Sequence, residues 1–388
     1  MGYKILLIHT RYRLSGGEDR VLENEAHLLA DKGHDIEILT FYNTKFSNVK
    51  FLFFPFNILS FFRVYFKIKK CKPDIVHVHN FFFDASPSIL YAIRLFKIPL
   101  VLTTHNFRFI CPSAVLSLNG KLYDYSLNKP FPWKAIKDRA YKNSFLASLW
   151  VSSIYWLHNR IGTWKLIDTL IIPNPYACQL YANQKNLHLN NDLVSKANFI
   201  DDPGYSNLER GEVFVFIGRL SEEKGIQMML TAFAGSSKML HIYGEGPMLG
   251  EVLAACKANS NIYYYGFISK EKVLSTLSTC AAIVIPSVCM EMTSLILIEA
   301  LACGTPVIVS SINTFKEYII SMKTGLLFEQ DSADSLIQSV NTFSNLPQSL
   351  KAAMGNNCRS LYLESFTPDN TYNVLMDVYN RNIENIRP

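Results

Sequence analysis

Several short clusters in this 388-residue chain hold residue types that can do chemistry. Arg219 and Lys224 share the stretch Gly218-Arg219-Leu220-Ser221-Glu222-Glu223-Lys224-Gly225. A guanidinium offers a planar fork and an ammonium a point charge, a pair suited to gripping a diphosphate. The structural alternative is two solvated surface charges, bridged to Glu222 or Glu223. In Tyr243-Gly244-Glu245-Gly246-Pro247, two glycines allow close backbone approach to a ligand. The same stretch reads equally well as a tight turn, with Pro247 opening a helix. Glu291 and Glu299 bracket Met-Thr-Ser-Leu-Ile-Leu-Ile, and on a single helix that spacing puts both carboxylates on one face. If the helix starts near Thr293, Glu291 lies in the loop before it and Glu299 on the second turn. Glu299 is then surrounded by apolar residues, where a carboxylate needs a partner. A sugar or ribose diol supplies one, and so does a structural Lys or Arg.

Two further clusters fall in the first half. Gly16-Gly17 stands between the first apolar run and a helix beginning near Asp19, where amides can approach a phosphate or simply make a turn. His105, in Thr103-Thr104-His105-Asn106, can hydrogen-bond a substrate hydroxyl, the alternative being a satisfied core histidine. His77 and His79 share a strand face, but with His105 they are too far apart in sequence to read as a metal site. There is no DxD motif, no GxSxG elbow and no Walker A lysine loop.

Short apolar runs must position these groups. The first series is Lys4–His9, Asp35–Phe41, Asp74–His79, Leu100–Thr104 and Thr169–Pro173. The second is Val213–Ile217, Met239–Tyr243, Asn261–Gly266, Ala281–Ile285, Pro306–Ser310 and Gly325–Phe328. Continuous apolar runs alternating with segments of helical period predict parallel strands covered on both faces. The expected fold is α/β, with two doubly wound Rossmann-like domains facing a central cleft and ligands at the carboxyl ends of the strands. The turn-rich Asp201–Asn207 reads as the linker between domains at 1–200 and 208–365. The rest, 366–388, holds a helix over Thr367–Asn385.

Composition narrows the class. At 49% hydrophobic and 18% charged, the chain is neither disordered nor fibrous. Its eight cysteines form no CxxC pair or zinc spacing, which fits a reducing, cytoplasmic compartment. The net charge of +6 is unevenly spread: residues 1–200 carry 25 Lys and Arg against 13 Asp and Glu, and the remainder 13 against 19. The excess falls within Lys45–Lys142, which includes FLFFPFNILSFFRVYF at Phe51–Phe66 followed by KIKKCK. Its longest uncharged stretch is too short to span a bilayer, which takes about 20 residues. Phe53, Phe54, Phe61 and Phe62 with Lys67, Lys69 and Lys70 therefore read as a membrane or acceptor face. The alternative is a buried aromatic helix. No nucleic-acid-binding motif accompanies the basic balance.

In order, the GG loop, PDIVHVH, TTHN, FIGRLSEEKG, YGEGP and PSVCMEMTSLILIEALACGTPVIVSS resemble the family 4 retaining glycosyltransferases of the GT-B fold. The likeness covers most of residues 1–330 and is most specific at GRL-x2-EKG and E-x7-E-A-x-A-x-G-x-PVI. GGEDRV and HNFRFICPSAVLSLNGKLYD look like the bacterial subgroup that builds O-antigen, capsule or exopolysaccharide. The resemblance implies a nucleotide-sugar donor and no metal. Arg219 and Lys224 match the pair on the donor diphosphate, joined by Gly218, Gly244 and Gly246. Gly16 and Gly17 match the loop that closes on the diphosphate. Glu299 matches the acid on the ribose, Glu291 the acid on the sugar hydroxyls, and His105 the histidine near the reaction centre. Arg219, Lys224, Glu291 and His105 are the residues taken to carry catalysis. The resemblance also implies that the C-terminal helix returns to the first domain. Thr293, Ser294 and Leu295 are also taken to bind the donor, although Thr293-Ser294 stand where many relatives have Phe-Gly, and Pro173–Ala182 replaces a more serine-rich stretch. The implied activity is hexose transfer to a lipid-linked glycan at the inner face of the bacterial cytoplasmic membrane. Two alternatives are an epimerase of similar fold and a non-catalytic nucleotide-sugar-binding scaffold.

Overall fold

The computed structural model describes residues 2–12, 16–43, 51–189, 192–205 and 209–385. The chain divides into two compact units. Met1–Ala114, Asp124–Phe199 and Pro368–Pro388 form the first, and Val115–Tyr123 with Ile200–Thr367 the second. The first unit runs β1 (Lys4–Arg11), α1 (Gly17–Asp31), β2 (Asp35–Tyr42), α2 (Ile58–Cys71), β3 (Ile75–Val78), α3 (Ser88–Arg94) and β4 (Leu100–Thr103). After a short hairpin, β5 (Ser117–Leu118) and β6 (Lys121–Leu122), it continues through α4 (Trp133–Lys137), α5 (Phe145–Arg160), β7 (Thr169–Ile172), α6 (Pro175–Ala182) and β8 (Asp192–Ser195). The second unit runs β9 (Phe214–Ile217), α7 (Ile226–Phe233), β10 (Leu240–Tyr243), α8 (Leu249–Ala258), β11 (Ile262–Tyr264), α9 (Lys270–Thr279) and β12 (Ala282–Ile285). It ends with α10 (Leu295–Ala302), β13 (Val307–Ser310), α11 (Asn313–Lys316), β14 (Gly325–Phe328), α12 (Ala333–Ser344) and α13 (Gln348–Ser365), and α14 (Pro368–Glu384) follows.

Each unit holds one six-stranded sheet, in the orders β2-β1-β3-β4-β7-β8 and β11-β10-β9-β12-β13-β14. Every ladder in both sheets is parallel. These are two doubly wound, Rossmann-like units. The short strands β3, β4, β7, β12 and β13 are buried along their whole length, because helices cover both faces. The chain order reverses at β1–β3 in one sheet and at β9–β12 in the other. Such reversals splay the connecting loops apart and open a crevice at the carboxyl ends.

Three features depart from the pattern of runs. The edge strand β8 was not among them: Asp-Leu-Val-Ser is part-exposed and has no continuous apolar stretch to betray it. The hairpin β5–β6 belongs to the second unit although it lies within the first 200 residues. Its two-residue loop is Asn119-Gly120, with φ of 50° and 72°. Two successive positive φ angles suit Asn-Gly, the most telling short hairpin signal. The linker Asp201–Asn207 is irregular through Tyr205, and Ser206 and Asn207 lie outside the described residues.

Helix α14 shares the first unit's core, placing Leu375, Val378, Tyr379 and Ile383 among Ile5, Leu7, Leu22, Ala26 and Leu29. A second core joins Phe214, Met229, Phe233, Ile242, Val284 and Ile308.

The aromatic segment divides between core and surface. Asn57 caps α2, its Oδ1 accepting from the amides of Leu59 and Ser60 at 3.1 and 3.2 Å. Ser60, Val64, Ile68 and Cys71 form the buried stripe. Leu59, Phe62 and Phe66 stay 78%, 46% and 61% exposed, and Leu52, Phe53, Phe56 and Ile58 add to this apolar surface. Phe54 is a correction to the expected face: it is fully buried, its ring edge-on to Phe82 at 4.7 Å. Phe61 is half-buried against Phe56 and Phe62. Lys69 and Lys70 are exposed in the last turn of α2, while Lys67 pairs with Glu37 at 2.6 Å. Among the described residues no helix is long and apolar enough to cross a membrane.

Candidate active site

In the second unit, the residues singled out by type gather where β9 and β12 diverge. The chain leaves β9 through Gly218 and Arg219, makes a 3-10 turn at Glu222–Lys224 and enters α7 through Gly225. Gly225 has φ 72°, and a Cβ there would lie 1.9 Å from the Pro286 carbonyl oxygen. The turn can therefore rest backbone-on-backbone against the exit of β12, and Val288 N–H donates to the Glu223 carbonyl at 3.0 Å. That contact brings Lys224 Nζ within 2.8 Å of Glu291 Oε1. Burial opposes the Lys224 charge, but nearby Glu291, Cys289 and Glu223 together outweigh it and hold the ammonium above its ordinary range. Ser287 Oγ donates to the same Glu291 oxygen. The bridge from Lys224 thus goes to Glu291 rather than to Glu222 or Glu223. Glu223 accepts from Ser221 Oγ at 2.7 Å instead. Arg219 is exposed and has no ion pair among the described residues.

Glu291 lies in the loop before α10, Ser294 is the helix N-cap, and Glu299 falls on the second turn, 2% exposed. Thr293 is half-buried and Leu295 is the first helical residue. The glycines of YGEGP let two loops pack closely. A Cβ on Gly244 would lie 1.9 Å from the Gly218 carbonyl oxygen, and one on Gly246 2.2 Å from that of Leu220. These close approaches let the loops after β9 and β10 exchange hydrogen bonds, Leu220 N–H to Glu245 O and Met248 N–H to Leu220 O. The backbone these glycines approach is the protein's own. The β5–β6 hairpin, which the search for chemistry overlooked, lies against the same loop: Val115 O accepts from Met290 N–H at 3.2 Å. A cavity of about 500 Å³ in this unit opens at the opposite, amino ends of the strands, beside Arg210, Phe214 and Met239. It is remote from the charged cluster.

The first unit holds the remaining residues. Gly16 caps α1 in extended geometry, and its amide donates to Asp19 Oδ2 at 3.0 Å. Asp19 also meets His9 Nε2 at 2.9 Å, and Gly17 is the first residue of the helix. His105 follows β4 and does not stand alone: its Nε2 is 3.3 Å from His79 Nδ1, the rings stacked. Behind them, Glu25, His77 and His79 place donor atoms within 4.8 Å of one another, all buried. Glu25 is a residue the sequence gave no reason to select. The trio has the composition of a cation site, but Lys196 Nζ already sits 2.7 Å from the Glu25 carboxylate. Burial would raise Glu25, yet Lys196 and the two imidazoles hold it well below the usual carboxylate range.

Residues 201–361 match the family profile described as "Glycosyl transferases group 1", and residues 15–150 match "Glycosyltransferase Family 4". The chain is 30% identical over 158 residues to the D-rhamnosyltransferase WbpZ of Pseudomonas aeruginosa, covering 40% of this chain and 41% of that protein. It is 26% identical over 175 residues to the O-antigen chain mannosyltransferase C of Escherichia coli, covering 44% and 47%. The matched stretches thus span less than half the length of either relative. The crystal structure of Anabaena HepE in complex with UDP superposes with a TM-score of 0.68 at 14% identity, over 97% of this chain and 100% of that one. The chain belongs to the family 4 glycosyltransferases of the GT-B fold.

Proposed function

We propose that the protein is a retaining hexosyltransferase moving a sugar from a nucleoside diphosphate to a lipid-linked glycan in bacterial surface-polysaccharide synthesis. The observation carrying this reading is the Lys224–Glu291 ion pair at the β9–β12 reversal, with exposed Arg219 on the same loop after β9. A donor diphosphate would draw the two cations, and stabilising its charge as it departs is the main source of rate. The Glu291 carboxylate, released from Lys224, accepts from sugar hydroxyls, and buried Glu299 from the ribose. Arg219 and Lys224 take the diphosphate charge in this scheme, so it calls for no metal. Gly16, Gly17 and His105 keep the parts that family resemblance gives them. The UDP bound by one structural neighbour and the O-antigen role of one relative support the donor and product classes. A scan of nucleotide sugars by thermal unfolding tests the donor. One bound at 100 times its Kd stabilises the protein by about 2.7 kcal/mol. No stabilisation by any member of the panel would remove the reading.

The acceptor side of the proposal rests on α2. Leu59, Phe62 and Phe66 form an exposed apolar row, with Lys69 and Lys70 at its end. Such a face suits the headgroup boundary of an anionic bilayer, at the inner face of the cytoplasmic membrane. In vesicle flotation, the combined change Leu59→Ser, Phe62→Ser and Phe66→Ser should cut binding more than tenfold, since each buried side chain contributes about 1.5–3 kcal/mol. Equal flotation of a folded variant would sink the membrane proposal.

A further inference from the structure

Glu25 reaches from α1 into a buried polar cluster on one face of the first sheet. Lys196, just after β8, approaches Oε2 at 2.7 Å, and His77 Nδ1 and His79 Nε2 each lie 3.2 Å from Oε1. None of these four side chains is more than 2% exposed. Both nitrogens of His77 are held at 2.7 Å by hydroxyls, Nδ1 by Tyr379 of α14 and Nε2 by Thr103 of β4. His79 Nε2 and Glu25 Oε1 lie 3.2 Å apart, and neither has a partner in strict hydrogen-bond geometry among the described residues, so each is the nearest available mate of the other. The other ionisable pair facing the cluster is His9 with Asp19, at 2.9 Å.

Charge balance sets the direction of these contacts. One ammonium and one carboxylate cancel, so the imidazoles stay neutral, as burial demands. A neutral ring carries one N–H and one lone pair. His79 therefore gives its Nε2–H to the Glu25 carboxylate and keeps a lone pair on Nδ1. His105 Nε2, 3.3 Å from that lone pair, must then carry the hydrogen. A divalent cation at Glu25 would face the Lys196 ammonium, which argues against a metal centre.

We propose that Glu25 and His79 are positioning residues that lock His105 as its Nε2–H tautomer, leaving Nδ1 as the acceptor for a substrate hydroxyl. The clause about substrate rests on the glycosyltransferase reading; the tautomer does not. Burial and the neighbouring His79 ring hold His105 well below its ordinary range, and burial pushes His79 down to about 4, so both rings are neutral near pH 7. In a donating role toward substrate, His105 would need the opposite tautomer. The network therefore selects the direction of the substrate hydrogen bond.

Long-range proton–nitrogen spectra of the full chain, with ring-labelled histidines, read the tautomer directly. The His105 signals are identified by their loss in His105→Gln. The expected wild-type pattern is a neutral Nε2–H ring over roughly pH 6 to 8. His79→Gln should leave His105 an average of both tautomers and lower kcat about 10- to 100-fold with little change in KM. His79→Asn, whose amide oxygen stands near the position of Nδ1, should restore much of both. Glu25→Gln provides a second route to the same loss of tautomer order. An Nδ1–H pattern in the wild type, an unchanged His105 spectrum in folded His79→Gln, or one equivalent of tightly held zinc would each overturn the assignment. Because the spectra need no substrate, a wild-type chain inactive toward every donor would count against the glycosyltransferase reading alone.

Discussion

Lys224→Ala should lower the rate of sugar transfer by about 10²–10³-fold, the usual cost of losing one preorganised group that stabilises charge developing in the transition state. On the proposed mechanism the loss should fall on kcat, because a leaving diphosphate gains charge as the bond to the sugar breaks. The fold should survive, since the Lys224 side chain is 28% exposed and Glu291, though only 10% exposed, keeps the hydrogen bond from Ser287 Oγ. Arg219→Ala should act in the same direction, and Lys224→Arg should recover only part of the rate, because a guanidinium fork does not fit where an ammonium sat. Competitive inhibition by the free nucleoside diphosphate should weaken in parallel. Full turnover by Lys224→Ala would remove the central assignment.

Lys196→Met should be the most destabilising conservative change in the first unit. Removing one member of a buried ion pair leaves an uncompensated charge and costs about 3–5 kcal/mol, whereas removing both is often neutral. The double variant Glu25→Gln, Lys196→Met should therefore unfold at higher denaturant concentration than Lys196→Met alone. The pH dependence carries its own signature. In the wild type, His79 stays neutral in the fold down to about 4, while in the unfolded chain it binds a proton below its ordinary value. Between those limits the unfolded state holds more protons, so stability rises with pH, by up to about 1.4 kcal/mol per pH unit for each such ring. Without Lys196, a histidine can take up a proton to balance Glu25, and the slope should flatten. Equal stability of the single and double variants, with equal slopes, would show that the pair is not the anchor of this cluster.

Much of the second-unit site was legible before any coordinates. GRL-x2-EKG and E-x7-E are local patterns, and the residues they name meet because each lies at the end of a strand whose apolar run is plain. The loop position of Glu291 and the second-turn position of Glu299 were one of two arrangements open to E-x7-E, and the start of α10 at Leu295 decides between them. The packing of Gly244 and Gly246 against the loop after β9 was not legible, because a glycine that makes room for a ligand looks the same as one that makes room for a neighbouring loop. Asn119-Gly120 is a local hairpin signal, but no spacing near it indicates that the hairpin belongs to the second unit.

The basic, aromatic stretch in the first half shows the same division. Its composition was visible, but which rings face out was not: Phe53 and Phe54 are adjacent, yet one is 59% exposed and the other fully buried. The residues behind His105 were further out of reach. Glu25 and Lys196 are 171 positions apart, and His77 and Tyr379 are 302. By itself the sequence determined the alternation of strands and helices, the two parallel sheets and the identity of the strand-end cations and acids, because those depend on short-range periodicity and residue type. Only the tertiary structure decided that Lys224 pairs with Glu291, which side chains of α14 enter the first core and that a buried carboxylate stands behind His105. Contacts between distant segments depend on how whole elements pack, and no local spacing encodes that.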